Sequence, residues 1–179
     1  MRIYIPLVGA DLAAGEITPR PVHTVTAALR SALPDVDDEG LEYSATLAAA
    51  DGALVLMQQE FSSEKDTPNL PAPASHLSID SFDPRFRRII ASAEVEEGVL
   101  DMRVAVALEA VPSQVHLVRQ VEWEHVDSIL IDEPGFSKLI AQALAGDERS
   151  FEASGDIDLL WYDVVEREAL YEMLGEDSQ

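Results

Sequence analysis

Five short clusters in this chain carry side chains that could do chemistry. Glu124-His125-Val126-Asp127 sets two carboxylates and an imidazole close together, a donor set suited to a hard or borderline cation. Asp156-x-Asp158 could contribute to a Mg²⁺ site with a nucleotide-sugar substrate. Ser75-His76, with Asp80 nearby, has the residue types of a nucleophile, a base and an orienting acid, although adjacency along the chain is not the geometry a triad needs. Arg85, Arg87 and Arg88 form a basic cluster where a small anion could dock. Trp161-Tyr162-Asp163 is the most distinctive string. On a strand, Trp161 and Asp163 share one face and Tyr162 takes the other, so the string could form a pocket wall in which Asp163 accepts a hydrogen bond from a ligand.

Each cluster also has a plainer reading. The 124–127 string reads first as a solvated turn, and it is the least unfavourable place in the chain for a metal; no metal and no cofactor are expected. Acidic pairs such as Asp156 and Asp158 arise by chance in a chain with 34 Asp and Glu. The arginines would offset local acidity and blunt a sheet edge. Trp161, Tyr162 and Asp163 would end a core strand. His23, His76 and His116 are isolated in sequence and read as surface or half-buried residues. No two of the nine glycines lie two apart, which removes the dinucleotide fingerprint and the kinase glycine loop. Walker A, His-Glu-x-x-His and Gly-x-Ser-x-Gly strings are also absent.

The elements that must position these residues can be read from periodicity. Residues 2–7 alternate Ile3, Ile5 and Leu7 and predict a strand. Val22, Val25, Leu29 and Leu33, between Pro21 and Pro34, have helical spacing. A longer helix is predicted over 38–61. One of its stripes is Tyr43, Leu47, Ala50, Leu54, Met57 and Phe61, and the other is Leu41, Ala45, Ala48, Gly52 and Val55. That width makes it the most buried helix expected, with small residues that allow close approach. Residues 62–84 contain Pro68, Pro71, Pro73 and Pro84 and read as a long loop pinned by Leu70, Leu77, Ile79 and Phe82, with a lid as the functional alternative and a disordered insertion as the third. Strands are predicted at 87–95 and 102–108, the second of which its alanine content leaves open to a short helix, and a hairpin from 114–123 into 128–131. Pro134 suits a first helical position, with a helix that Gly146 ends. After a polar link at 147–156, residues 157–164 are apolar on both faces and predict an interior strand. A short helix follows over 166–174, and the last five residues read as a frayed tail. The order implies an α+β fold with an antiparallel or mixed sheet, helices packed on one face, and a ferredoxin-like layout as the leading topology.

At 179 residues the chain fits one domain spanning 1–179. Its net charge is −22, a surface that repels phosphate backbones and anionic lipid headgroups, so nucleic acid and membrane are not expected partners. No apolar run approaches the ~18 residues of a membrane span. Zero cysteines remove disulfides and thiolate sites, and an N-terminus that reads as a strand instead of a signal peptide places the protein in the cytoplasm. Ten Arg against two Lys, Lys65 and Lys138, reflect codon bias in a GC-rich genome more simply than adaptation to salt.

The strings Met1-Arg2-Ile3-Tyr4-Ile5-Pro6, Leu41-Glu42-Tyr43, residues 88–95 and Leu159-Leu160-Trp161-Tyr162-Asp163 together resemble a family of small, acidic, uncharacterised actinobacterial proteins, a domain of unknown function. The resemblance implies a GC-rich bacterial source and carries no activity. Where such proteins have His-Val-Asp near the end of the hairpin this chain has Leu130-Ile131-Asp132, which argues against a general catalytic role there. The leading functional expectation is a non-enzymatic, cytoplasmic protein-interaction or regulatory domain whose acidic surface meets a basic partner protein. The alternatives are a small enzyme or small-molecule-binding protein with a pocket near Trp161, Tyr162 and Asp163, and a homo-oligomer.

Overall fold

The N-terminal alternation forms β1 (Arg2–Leu7), with Ile3, Ile5 and Leu7 buried on one side and Tyr4 on the other. The structure is a computed structural model that describes residues 1–64, 83–103 and 111–175. The chain continues through β2 (Glu16–Ile17), β3 (Pro21–His23), α1 (Ala27–Ala32), α2 (Asp38–Glu64), β4 (Ile89–Glu94) and β5 (Leu100–Asp101). There follow β6 (Gln114–Leu117), β7 (Val121–Glu122), β8 (Val126–Asp132), α3 (Ser137–Leu144), α4 (Glu148–Ser154), β9 (Leu159–Asp163) and α5 (Arg167–Gly175). Among the described residues, seven strands form one open antiparallel sheet in the order β5-β6-β3-β1-β4-β8-β9, and β2 pairs with β7 apart from it. Among the described residues no helix is long and apolar enough to cross a membrane.

The α+β class with an antiparallel sheet is as expected. The ferredoxin-like layout holds in its first half alone: β3 and β4, which flank α1 and α2, run parallel with β1 between them, as that layout needs, but β8 and β9, which flank α3 and α4, lie side by side and antiparallel. Packing on one face holds for α1 and α2, whose Leu29, Leu41, Ala45 and Ala49 meet Tyr4 and Ile90. The C-terminal α5 goes to the other face, where Leu170 and Leu174 cover Ile3, Ile5, Ile129 and Ile131. Small residues bring α2 close to the sheet: a Cβ on Gly52 would stand 2.8 Å from the Pro6 Cγ. Tyr43 and Val55, placed on the apolar stripes by sequence, are exposed, because the sheet needs only the arc through Leu41, Ala45, Ala49 and Ala53.

Further expectations are corrected. Val22 lies in β3, where it pairs with Val115, and the helix begins only at Ala27, with the Thr26 side chain accepting from the Leu29 amide at 3.0 Å. The 114–131 hairpin does not form: β6 pairs with β3 and β5, and β8 with β4 and β9, because Val121 and Glu122 turn aside to pair with β2. The Trp123 indole N–H, donating to the Ala14 carbonyl at 2.9 Å, holds that diversion. Pro134 precedes α3 instead of opening it, although Gly146, at φ 92°, ends it as expected. The polar link folds as α4, which Asp147 starts by accepting from the Ser150 amide at 3.0 Å. Of the predicted loop, 62–64 belong to α2; residues 65–82 lie outside the described residues, as do 104–108 of the predicted third strand and the tail at 176–179.

Leu54 packs with Met57, Phe86, Ile140 and Ile157 between the C-terminal half of α2 and α3. Leu54→Ala is expected to cost about 2–3 kcal/mol, the lower part of the range for a buried leucine, because a cluster between two helices at the sheet's margin can partly collapse. Chemical denaturation measures it, and a loss below about 0.5 kcal/mol would contradict this packing.

Candidate functional site

Aromatic and aliphatic residues alternate along β9, which runs beside β8 with Leu130 opposite Trp161 and Ile129 opposite Tyr162. Residues opposite one another share a face, so Leu159 and Trp161 stand on the α2 side while Tyr162 joins the core on the α5 side. The expectation of an interior strand is overturned: among the described residues β9 is the last strand of the sheet. Its two apolar faces reflect helices above and below it, and say nothing about strands on either side. Trp161 is 61% exposed, as is expected of a large ring at an edge that α2 does not reach.

The ladder polarity of β9 follows from one bond. The Glu133 amide donates to the Asp158 carbonyl at 2.9 Å, which makes that pair a hydrogen-bonded one. Antiparallel pairs alternate, so the amides and carbonyls of Leu160 and Tyr162 face β8 and those of Leu159 and Trp161 face outward. Asp163 ends the open stretch. Its outward amide donates to Glu166 Oε2 at 2.9 Å, and its own carboxylate accepts from the Val165 amide at 3.0 Å. Asp163 is therefore a capping residue here, and Tyr162 a core residue; of the three, Trp161 alone is presented to solvent.

The acidic surround is dense. Glu152, Asp156, Asp158, Asp163, Glu166 and Glu168 lie between residues 152 and 168 with a single cation, Arg167. Arg167 is turned inward, 4.6 Å over the Trp123 ring and donating to the Ala14 carbonyl at 2.8 Å. Val165, 83% exposed, adds a second apolar side chain just beyond the strand.

The other clusters separate. His125 Nε2 lies 3.9 Å from Glu124 Oε1 with both side chains largely exposed, and Asp127 is exposed on β8; among the described residues no three His, Asp or Glu side chains converge as metal ligands. His125 does border a surface concavity of about 390 Å³ with Glu94, Glu96, Gln120 and three valines, Val95, Val99 and Val121. Asp156 and Asp158 are exposed ahead of β9. Ser75, His76 and Asp80 lie outside the described residues.

The arginine cluster is also dispersed, and its expected role at a sheet edge is corrected, because β4 is a central strand. Arg85 pairs with Asp83 at 2.7 Å, holding the Asp83 carboxyl below its usual range despite its burial. Arg87 donates to the Asp132 carbonyl at 2.6 Å. Arg88 is fully buried and grips Asp132, through Nη2 at 2.8 Å and its own backbone amide at 2.8 Å. Sequence reasoning missed this pair; the one available signal was an arginine opening an apolar strand. Burial raises the Asp51 carboxyl, and nearby Arg88 partly opposes that. His23, expected at the surface or half-buried, is buried between β3 and α2, with Nδ1 2.9 Å from Ser113 Oγ, and burial lowers its pKa to about 4. His116 lies on β6 opposite Pro21 and Asp101.

Compared with known protein families, residues 1–171 match the model of a family of unknown function. No curated protein and no solved structure matches the chain.

Proposed function

This chain belongs to DUF6912, a family of unknown function, and we propose that it is a non-enzymatic cytoplasmic protein-interaction domain whose partner surface is built around Trp161. The observation that carries the reading is a tryptophan 61% exposed in the middle of an edge strand, within a stretch of chain, 152–168, that holds six carboxylates. Large aromatic side chains of this kind dominate protein interfaces, because their area desolvates at little cost in conformational entropy. The surrounding charge steers a cationic partner and rejects nucleic acid and anionic membranes.

Trp161→Ser tests the reading. The variant should keep the wild-type stability within about 0.5 kcal/mol, since the ring is mostly solvated already. Affinity capture from the native lysate followed by reconstitution with the captured protein should show binding at least about tenfold weaker for the variant. Equal binding by both proteins would refute the reading. A small-molecule-binding role is favoured by the concavity bordered by His125, and a thermal-shift panel of metals and metabolites checks it: a shift lost in His125→Ala would promote that role.

A further inference from the structure

We propose that the outer side of β9 takes up an extended, lysine- or arginine-rich segment of a partner protein as an eighth strand, which deepens the interaction reading above and rests on it. Three observations meet at this edge. The amides and carbonyls of Leu159 and Trp161 face outward by the alternation of the ladder, and a strand laid alongside would satisfy them as β8 satisfies Leu160 and Tyr162. The Glu166 carboxylate on the Asp163 amide sets the limit of the open stretch, so the docked segment runs along residues 159–161 and leaves the sheet at Asp163. Trp161 and Val165 offer apolar contact beside that ladder.

Charge selects the occupant. A short edge strand flanked by carboxylates is a device against indiscriminate pairing, because an apolar or acidic strand would bring no counter-charge to Asp156, Asp158 and Glu168. A second copy of this chain fails for the same reason: twofold pairing of β9 would set these carboxylates against their own images in molecules of net charge −22. A segment alternating basic and β-branched residues turns that repulsion into attraction. Its apolar side chains would lie against Trp161 and its basic ones would reach the flanking carboxylates.

The full chain is titrated with a nine-residue peptide alternating lysine and valine, while backbone amide exchange is followed residue by residue. The controls are the glutamate–valine analogue and a lysine peptide with proline in place of two central valines. At saturation the Leu159 and Trp161 amides should exchange at least about tenfold more slowly, with little change at Leu160 and Tyr162, whose bonds to β8 already exist. Binding should weaken with salt, and about tenfold in the Asp156→Lys/Asp158→Lys variant. A shift of the Trp161 indole without protection of these amides would overturn strand addition and leave the interaction surface standing. No change anywhere along β9 would overturn both. Equal binding by the glutamate or proline peptide overturns the proposal, and so does protection that grows with protein concentration alone, which would identify a second copy as the occupant.

Discussion

Asp132→Ala should destabilise the protein by about 3–5 kcal/mol, the largest loss expected of any single substitution here. Arg88 and Asp132 lie wholly inside, between the sheet and the helices on the α2 side, and the carboxylate takes the Arg88 backbone amide at 2.8 Å, Nη2 at 2.8 Å and Nε at 3.0 Å. Removing the carboxylate leaves a guanidinium where water cannot reach it, with Ser154 Oγ at 3.5 Å as its remaining side-chain hydrogen bond among the described residues and the nearby Asp51 carboxyl as a partial counter-charge. Asp132→Asn, which keeps the shape and half the acceptors, should cost less. The double variant Arg88→Met/Asp132→Leu should recover most of the loss, because the pair's attraction is set against the desolvation of both charges. Urea denaturation of the three variants decides it. A loss below about 1 kcal/mol for Asp132→Ala would mean that the pair is reached by solvent.

Acid should destabilise the fold through His23 before any carboxylate is needed. Its pKa is about 4 in the folded protein against 6.5 for an ordinary histidine, so between those values the unfolded chain binds a proton that the folded chain refuses. Stability is therefore full above pH ~6.5 and falls as the pH drops towards ~4, by about 3 kcal/mol over the window. The cause is burial: His23, at the end of β3, has Ser113 Oγ 2.9 Å from its Nδ1, and its Nε2 lies 3.5 Å from where a Cβ on Gly52 would stand. His23→Gln, which can keep a bond to Ser113, should flatten the profile between pH 7 and 4.5. Parallel profiles for the two proteins would show that another group is responsible.

Local pattern accounts well for the elements that carry their own signal. Residues 2–7, 38–61, 89–94 and 167–174 have the right period and length, and each forms close to where its period places it. Caps were less legible. Asp147 with Ser150 three residues on is a helix start, yet the short polar helix behind it lacks an apolar stripe and reads as a link. The missing hairpin is a failure of a different kind. Two alternating runs separated by a polar turn satisfy every local rule for pairing, but Val121 and Glu122 have a competing partner in residues 16–17 more than a hundred positions away. Nothing in a window of ten residues records that competition.

The sequence by itself determined the composition of the surface, the class of fold, the placement of α2 and the identity of the string Trp161-Tyr162-Asp163 as the one to watch. Periodicity and charge are properties of neighbouring residues, and they survive without knowledge of what lies across the sheet. Only the tertiary structure decided what those residues face. Apolar character on both sides of β9 records the layers above and below it and is blind to the hydrogen-bonding direction, so an edge strand and an interior one read alike. For the same reason Arg88, one of three arginines in a row of four residues, became a buried partner of Asp132 while Arg85 stayed at the surface. Strand order and burial are set by contacts between residues far apart in the chain, and it is those contacts that put Trp161 on the last strand among the described residues, with its ring in water.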